Sequence, residues 1–298
     1  MSAQTLEPRT VPGTAPALER TAPAATRPRR LPLPRPTVVL AVLVLLLSLA
    51  WALAPGLFTS LSPTASTGTS LQAPSAAHWF GTDATGRDVF ARVVHGASHS
   101  ITAALVAVAV GLVVGTGIGV LAGAVGGLVE EALMRLVDVL LAIPGLLLSL
   151  SVVILLGFGT TNAAIAVGIT SIATFARLSR SRVLEVRRSD YVEAAFGSGG
   201  TLASVLLRHI LPNSATPVIA LAALQLGSAI LQISTLGFLG YGAPPPTPEW
   251  GLLIAEGRDY LATAWWLTVL PGAVVAAVVL STHRLSEALS AREAGERS

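Results

Sequence analysis

Six long runs without a single charged residue dominate this sequence: Thr37 to Phe58, Ile101 to Val125, Val139 to Leu156, Thr161 to Phe175, Ala215 to Leu236 and Ala264 to Ser281. A helix needs about 20 apolar residues to cross a hydrocarbon core of roughly 30 Å. In lipid, every backbone N–H and C=O must find its partner within the protein, which leaves helices as the natural spanning element for runs of this kind. The expectation is therefore an all-α, polytopic membrane protein with about six transmembrane helices. The fourth run is the weakest, being short and rich in Thr and Ser. A chain of 298 residues, 52% hydrophobic and only 12% charged, has little left over for a soluble catalytic domain.

The loops set the orientation. Sixteen of the nineteen basic residues lie in the first tail, at Arg135, between residues 176 and 213, and after residue 281. The alternate loops hold only Arg87, Arg92 and Arg258. By the positive-inside rule both termini and the 176–213 loop are expected in the cytoplasm of a multi-pass cell-membrane protein. Residues 1–36, rich in Pro, Ala and Arg without helical period, read as a disordered cytoplasmic tail, 37–281 as the transmembrane domain and 282–298 as a second cytoplasmic tail. Ala50-Trp51-Ala52 and Ala52-Leu53-Ala54 have the small-residue spacing of a signal-peptidase site, but the apolar run before them is longer than such signals carry, so a retained anchor is expected. Every basic residue is arginine and cysteine is absent. That excludes a P-loop, which needs a lysine at the phosphates, as well as thiolate metal sites and a cysteine nucleophile. No cofactor is expected in this chain, and any ATP it uses must be bound by another subunit.

The loop from Arg177 to Pro212 is too polar to cross and too patterned to be a linker. Asp190 and Glu193 are spaced as a capping box, and Gly199-Gly200 supplies a left-handed stop, so a helix is expected over Tyr191 to Ser198. A second follows from Thr201 to about Ile210, with Leu202, Val205, Leu206 and Ile210 on one face. Helices this short are marginal alone and need a surface to pack on. Ala194 and Ala195 leave one side flat enough for close approach, while Tyr191 and Phe196 offer aromatic anchors.

EAAFGSG, nine residues and HILPN resemble the EAA loop of ABC-importer permease subunits, in the form found in the dipeptide, oligopeptide and nickel group. Glu193, Ala194, Ala195, Gly199, Leu211 and Pro212 match that motif, and His209 has the residue usual in the peptide group. His78 to Ile101 and Phe238 to Leu261 are similar to the outer segments of the C-type subunit of the same group. The resemblance covers residues 78 to 282 and implies a type I ABC importer permease fold. It further implies that the EAA-like loop docks into a separate ATPase subunit. The implied partners are a homologous second permease, two ATPase subunits and an external solute-binding protein. Gln232 and Gly237 depart from the group's usual Glu and Ser, and Ser98 from its Arg.

In the first outer segment Thr85 is expected to cap a helix with Asp88 at its third position, Asp88 to pair with Arg92, and Val89, Phe90, Val93 and Val94 to form an apolar side on the outer membrane face. In the second, Pro244 to Pro246 read as a stiff extended arm and Trp250 as an interfacial residue. Asp138 abuts the third run, with Arg135 the expected partner, and Pro144 should kink that helix. Asn162, Gln225 and Gln232 are polar within the spans and read first as interhelical packing. An ion-coupled secondary transporter would need buried midplane charge, and an intramembrane protease a serine with histidine or two aspartates inside the spans. The spans hold neither pattern. The sequence therefore reads as a permease subunit for peptides or a similar small solute, without covalent chemistry of its own.

Overall fold

The computed structural model describes residues 36–296, with side chains to residue 288; the expected tail over 1–35 lies outside the described residues. Apart from two isolated bridges, Ser66 with Arg87 and Thr82 with Asp88, the regular structure among them is helical. In chain order come α1 (Pro36–Leu53), α2 (Val89–Val110), α3 (Thr116–Val125), α4 (Gly127–Ala142), α5 (Gly145–Leu156) and α6 (Thr160–Arg187). They are followed by α7 (Asp190–Gly197), α8 (Leu202–Val205), α9 (Leu211–Phe238), α10 (Trp250–Gly257) and α11 (Trp266–Glu296). A π turn over Gly111–Gly115 joins α2 to α3, and another over Leu206–Ile210 joins α8 to α9. Among the described residues five helices are long and apolar enough to cross a membrane: Pro36–Leu53, Val89–Val125, Thr160–Arg187, Leu202–Phe238 and Trp266–Ala288.

The third apolar run is not one helix. α4 and α5 meet at a bend of 96°, and only together do they make a sixth candidate span. Pro144 causes the break: the residue before a proline is driven out of the α region, and Ile143 sits extended at φ −91°, ψ 128°. Several helices also run further than the charge-free stretches. α6 continues through the arginines to Arg187, a length of about 42 Å by the usual rise, so its last turns stand beyond a 30 Å hydrocarbon core.

Close packing along α3 rests on glycine. Gly111, Gly115, Gly119 and Gly123 recur every fourth residue and turn one face to α6. A Cβ at Gly119 would lie 2.8 Å from the Ser179 Cβ, and one at Gly123 2.8 Å from a Val183 methyl, so any larger residue would push the helices apart. Around this seam the core is built from small and branched side chains: Val93, Val94, Ala97 and Ala104 of α2, Ala163 and Val167 of α6, and Ile230, Ile233 and Leu236 of α9. The outward face of α1 is apolar throughout, with Leu40, Leu43 and Leu46 more than half exposed, as lipid contact demands.

The outer segments differ from their expected form. Val89, Val93 and Val94 are buried in the core instead of lying on an outer surface, because residues 89–125 are one long helix whose first turns pack inside the bundle. Trp250 is fully buried, its Nε1–H donating to Val93 O at 2.9 Å, so it locks α10 to α2 and is not an interfacial anchor. Glu249 caps α10 by accepting from the N–H groups of Gly251 and Leu252, both at 2.9 Å, and from the Ser100 hydroxyl at 3.3 Å.

Candidate coupling site

The expected coupling residues gather where α6 leaves the bundle and the Leu202–Phe238 helix enters it. Three α6 arginines hold that corner. Arg177 pairs with Asp138 at 2.7 Å, Arg180 Nε donates to Glu130 at 2.6 Å, and Arg187 donates to the Ala124 carbonyl at 2.9 Å at the end of α3. The Arg135 partner expected for Asp138 is instead bound to Glu131 one turn away, at 2.7 Å. Sequence spacing favoured the local pair, but the crossing of α4 over α6 brings Arg177 closer.

The helix α7 forms without the expected capping box. Ser189 occupies the N-cap position, its carbonyl accepts from the N–H groups of Val192 and Glu193 at 3.0 and 3.1 Å, and its hydroxyl turns back to Val186 O at 2.6 Å. Asp190 is thereby the first helical residue, and no side-chain cap closes. Asp190 and Glu193 still favour this end, since two carboxylates in the first turn oppose the positive end of the helix dipole. The stop is as the glycines imply. Gly199 lies at φ +86°, its N–H donates to Phe196 O at 3.0 Å, and the Gly200 N–H donates to Ala195 O at 3.1 Å, which is the bonding of a Schellman motif. Thr201 then caps α8, its hydroxyl accepting from Ser204 N at 3.3 Å.

The second short helix does not end near Ile210. It runs on through Leu211 and Pro212 into α9, and the intervening π turn lets Leu211 N–H reach Leu206 O, five residues back. That wider turn accommodates a proline, which has no N–H to offer. The Asn213 and Ser214 side chains donate to the carbonyls of His209 and Ile210, at 2.6 and 2.8 Å.

A small core binds these pieces. Val192 of α7, Val205 of α8, Ile210 of the π turn and Val183 of α6 are all buried, with Ala195, Phe196 and Leu206 packed against them. Fully burying one such side chain stabilises by about 1.5–3 kcal/mol, enough in sum to hold an eight-residue helix that is marginal alone. Ala195 and Phe196 thus serve the inner core and Leu202 is exposed, against the sequence expectation for all three. Facing solvent are Tyr191, 48% exposed, with Glu193, Ala194 and, beyond the turn, Leu207, 64% exposed. His209 is half-buried; its carbonyl accepts from the Asn213 side chain, and its ring has no hydrogen bond among the described side-chain contacts.

A second polar cluster lies at the opposite end of α2. Asp88, not Thr85, is the N-cap, accepting from Ala91 N at 2.7 Å, and its partner is His78 at 2.7 Å, not Arg92. Arg92 is buried and donates to both Asp83, at 2.7 Å, and Glu256, at 2.6 Å. The tight turn at Asp83-Ala84-Thr85-Gly86, with Gly86 at φ +79°, delays the helix by one turn and reassigns these pairs. Burial pushes the Asp83 carboxyl up, but donors from the Arg87 and Thr85 N–H groups, the Thr85 hydroxyl and the Arg87 guanidinium outweigh it and hold it below the usual carboxylate range. The site's long-range partner, Glu256, had no sequence signal because it sits 164 residues away. A cavity of about 320 Å³ opens over this cluster, lined also by Asp259 and Tyr260.

A family described as binding-protein-dependent transport system inner membrane component matches residues 115–294. The chain is 42% identical over 239 residues to the probable D,D-dipeptide transport system permease protein DdpC of Escherichia coli (strain K12), covering 80% of each. It is 37% identical over 219 residues to the dipeptide transport system permease protein DppC of Alkalihalophilus pseudofirmus, 74% of this chain and 72% of that one. With the glutathione transport system permease protein GsiD of Shigella flexneri it shares 43% identity over 216 residues, 72% and 71% of the two chains. Among solved structures, an inward-facing MetNI methionine ABC transporter aligns with TM-score 0.53 at 18% identity, over 66% of this chain and 96% of that one. An amino acid ABC transporter with histidines aligns with TM-score 0.53 at 15% identity, over 67% and 94%. These two share the fold.

Proposed function

Because this chain belongs to the family of binding-protein-dependent transport system inner membrane components and is the permease subunit of an ABC importer, we propose that α7 and the turn after it are the point at which a separate ATPase subunit grips it. ATP is bound and hydrolysed by that partner, in keeping with the absence of lysine here. The assembly comprises a homologous second permease, two ATPase subunits and an external solute-binding protein. Both termini and α7 face the cytoplasm, as the arginine distribution favours. The solute is a peptide or a similar small molecule, a reading supported by the dipeptide and glutathione permeases it resembles.

One observation carries the coupling role: α7 stands on a small core shared by two long helices, α6 through Val183 and the Leu202–Phe238 helix through Val205 and Ile210. A push on α7 therefore moves both together. Tyr191, Glu193 and Ala194 supply the outward surface, Ala195 and Phe196 the inward one, and Gly199 the break that keeps α7 a separate lever. Leu211, Pro212 and His209 carry the motion into the bundle without interrupting the helix. Arg180 and Arg187 extend it to α4 and α3. Closure and opening of the ATPases then bias two rigid-body arrangements of the spans, which is alternating access.

The test is co-purification and uptake in the full transporter. Tyr191→Ala and Glu193→Ala should insert normally, because both side chains are on the surface, yet lose ATPase-subunit association and transport. Ser198→Ala is the control: its hydroxyl donates only to Ala194 O, at 2.9 Å, and the change should be silent. Full association in both surface variants would remove the docking assignment.

A further inference from the structure

The break between α4 and α5 is open on one side of this chain, with residues 141–147 exposed. Thr170 and Gln232 stand beside it: Thr170 is ten residues into α6 from Thr160, about 15 Å along the helix, and Gln232 lies six residues before the end of α9, about 9 Å. On a hydrocarbon core of roughly 30 Å this sets Thr170 near the middle and Gln232 between the middle and the outer edge. A Cβ at Gly145, the first residue of α5, would lie 3.8 Å from Gln232 Oε1, so the amide adjoins the break itself.

Polar groups collect there without protein partners. Pro144 has no N–H and no side chain caps α5, so the N–H groups of Gly145, Leu146 and Leu147 find no acceptor among the described hydrogen bonds; Leu148 is the first to bond, to Pro144 O at 3.0 Å. Gln232 Oε1 is 3.5 Å from Thr170 Oγ1, but that hydroxyl already gives its single proton to Val167 O at 2.7 Å. The carboxamide of Gln232, which is partly exposed, therefore has only this long contact at its acceptor and, among the described contacts, neither of its two donors used. Asn162 shows the contrast, with its amide donating to the Leu156 and Gly157 carbonyls at 3.0 Å each. In lipid an unpaired amide beside an open helix end is costly, and interrupted helices are tolerated at membrane depth only where they are covered by protein or line a water-filled cavity.

We propose that Gln232, with Thr170 beside it at the α4–α5 break, lines the aqueous solute path of this permease and hydrogen-bonds the amide or carboxyl groups of the passing solute. The inference rests on the permease reading above and adds to it a solute-contacting residue. A neutral carboxamide offers both donor and acceptor, which suits a peptide bond leaving water better than a fixed charge would.

The absence of native cysteine makes a direct test possible. In the full transporter in membranes, Gln232→Cys and Thr170→Cys are exposed to a water-soluble, membrane-impermeant methanethiosulfonate, in the resting and the ATP-vanadate-trapped states. Leu280→Cys, on an outward apolar position 65% exposed, is the lipid-facing control. Thiols react as thiolates, which form in water and not in hydrocarbon, so Gln232→Cys should label at least about ten times faster than the control in one of the two states. Slow labelling of both positions in both states, in a complex that still takes up solute, would overturn the inference and leave the permease reading intact. Failure of the unaltered complex to transport any solute would instead strike that reading. Independently, Gln232→Leu should raise KM for uptake roughly five-fold while Gln232→Asn stays close to the parent, with ATPase-subunit association equal in both. Unchanged KM in Gln232→Leu would likewise overturn it.

Discussion

Gly199 gives the sharpest quantitative test of the coupling turn. It lies at φ +86°, and a Cβ built on it meets no atom within 4 Å. A side chain there is therefore penalised by backbone conformation alone and not by collision. Holding an ordinary L-residue in the left-handed region costs about 1–2 kcal/mol, Asn is among the residues that tolerate it best, and a β-branched residue fares worst. Both Schellman hydrogen bonds, Gly199 N–H to Phe196 O and Gly200 N–H to Ala195 O, require this geometry. If the ATPase subunit binds only the closed turn, a penalty of that size lowers its affinity by roughly 5- to 30-fold. The expected order of affinity is parent, Gly199→Asn, Gly199→Ala, Gly199→Val, read by titrating the ATPase subunit onto the reconstituted permease. Gly200→Ala should be impaired for a different reason, since its Cβ would lie 2.7 Å from Ala195 O and 2.9 Å from a Val205 methyl. Equal affinities for Gly199→Val and the parent, or equal losses for Gly199→Asn and Gly199→Val, would refute the conformational argument.

Gly119→Leu should destabilise the bundle by about 1–3 kcal/mol or more through overpacking against Ser179 and Arg180, whereas Gly117→Leu, with open space around its Cβ, should be nearly neutral; thermal unfolding in detergent separates them. The same assay against pH should show two opposite limbs at the outer end. Asp83 is held below the usual carboxylate range, so its contribution is complete above that range and is lost as pH falls through the lowered folded value; Asp83→Asn should flatten this acid limb. Burial pushes the Glu249 carboxyl up against the opposing donors of Gly251, Leu252 and Ser100, so its contribution is present in acid and is lost as pH rises above the usual glutamate range. Glu249→Gln should remove that second limb, and a limb that persists would place the titration elsewhere.

Composition and periodicity alone determined that this chain is helical and lives in a membrane, because a charge-free run of about twenty residues has few other stable states. The left-handed stop at Gly199-Gly200 was equally legible, since glycine doublets are among the few local signals whose backbone preference tertiary packing rarely overrides. Partner choice was not. Asp138 with Arg177, Arg92 with Asp83 and Glu256, and His78 with Asp88 are set by which helices cross, and spacing along one helix suggested different pairs each time. Trp250 looked interfacial because tryptophan often is, yet the bundle swallows it against Gly96 and Val93, a fit that depends on three-dimensional shape. Ser189 displaced Asp190 from the N-cap by one residue, a shift decided by where α6 ends and therefore by its packing on α3 and α4. The same holds for Gln232. Its amide was visible as a polar residue in an apolar run, but only the fold puts it beside the broken helix at Pro144 and leaves its two donors unpaired among the described contacts, because hydrogen-bond satisfaction is a property of neighbours in space.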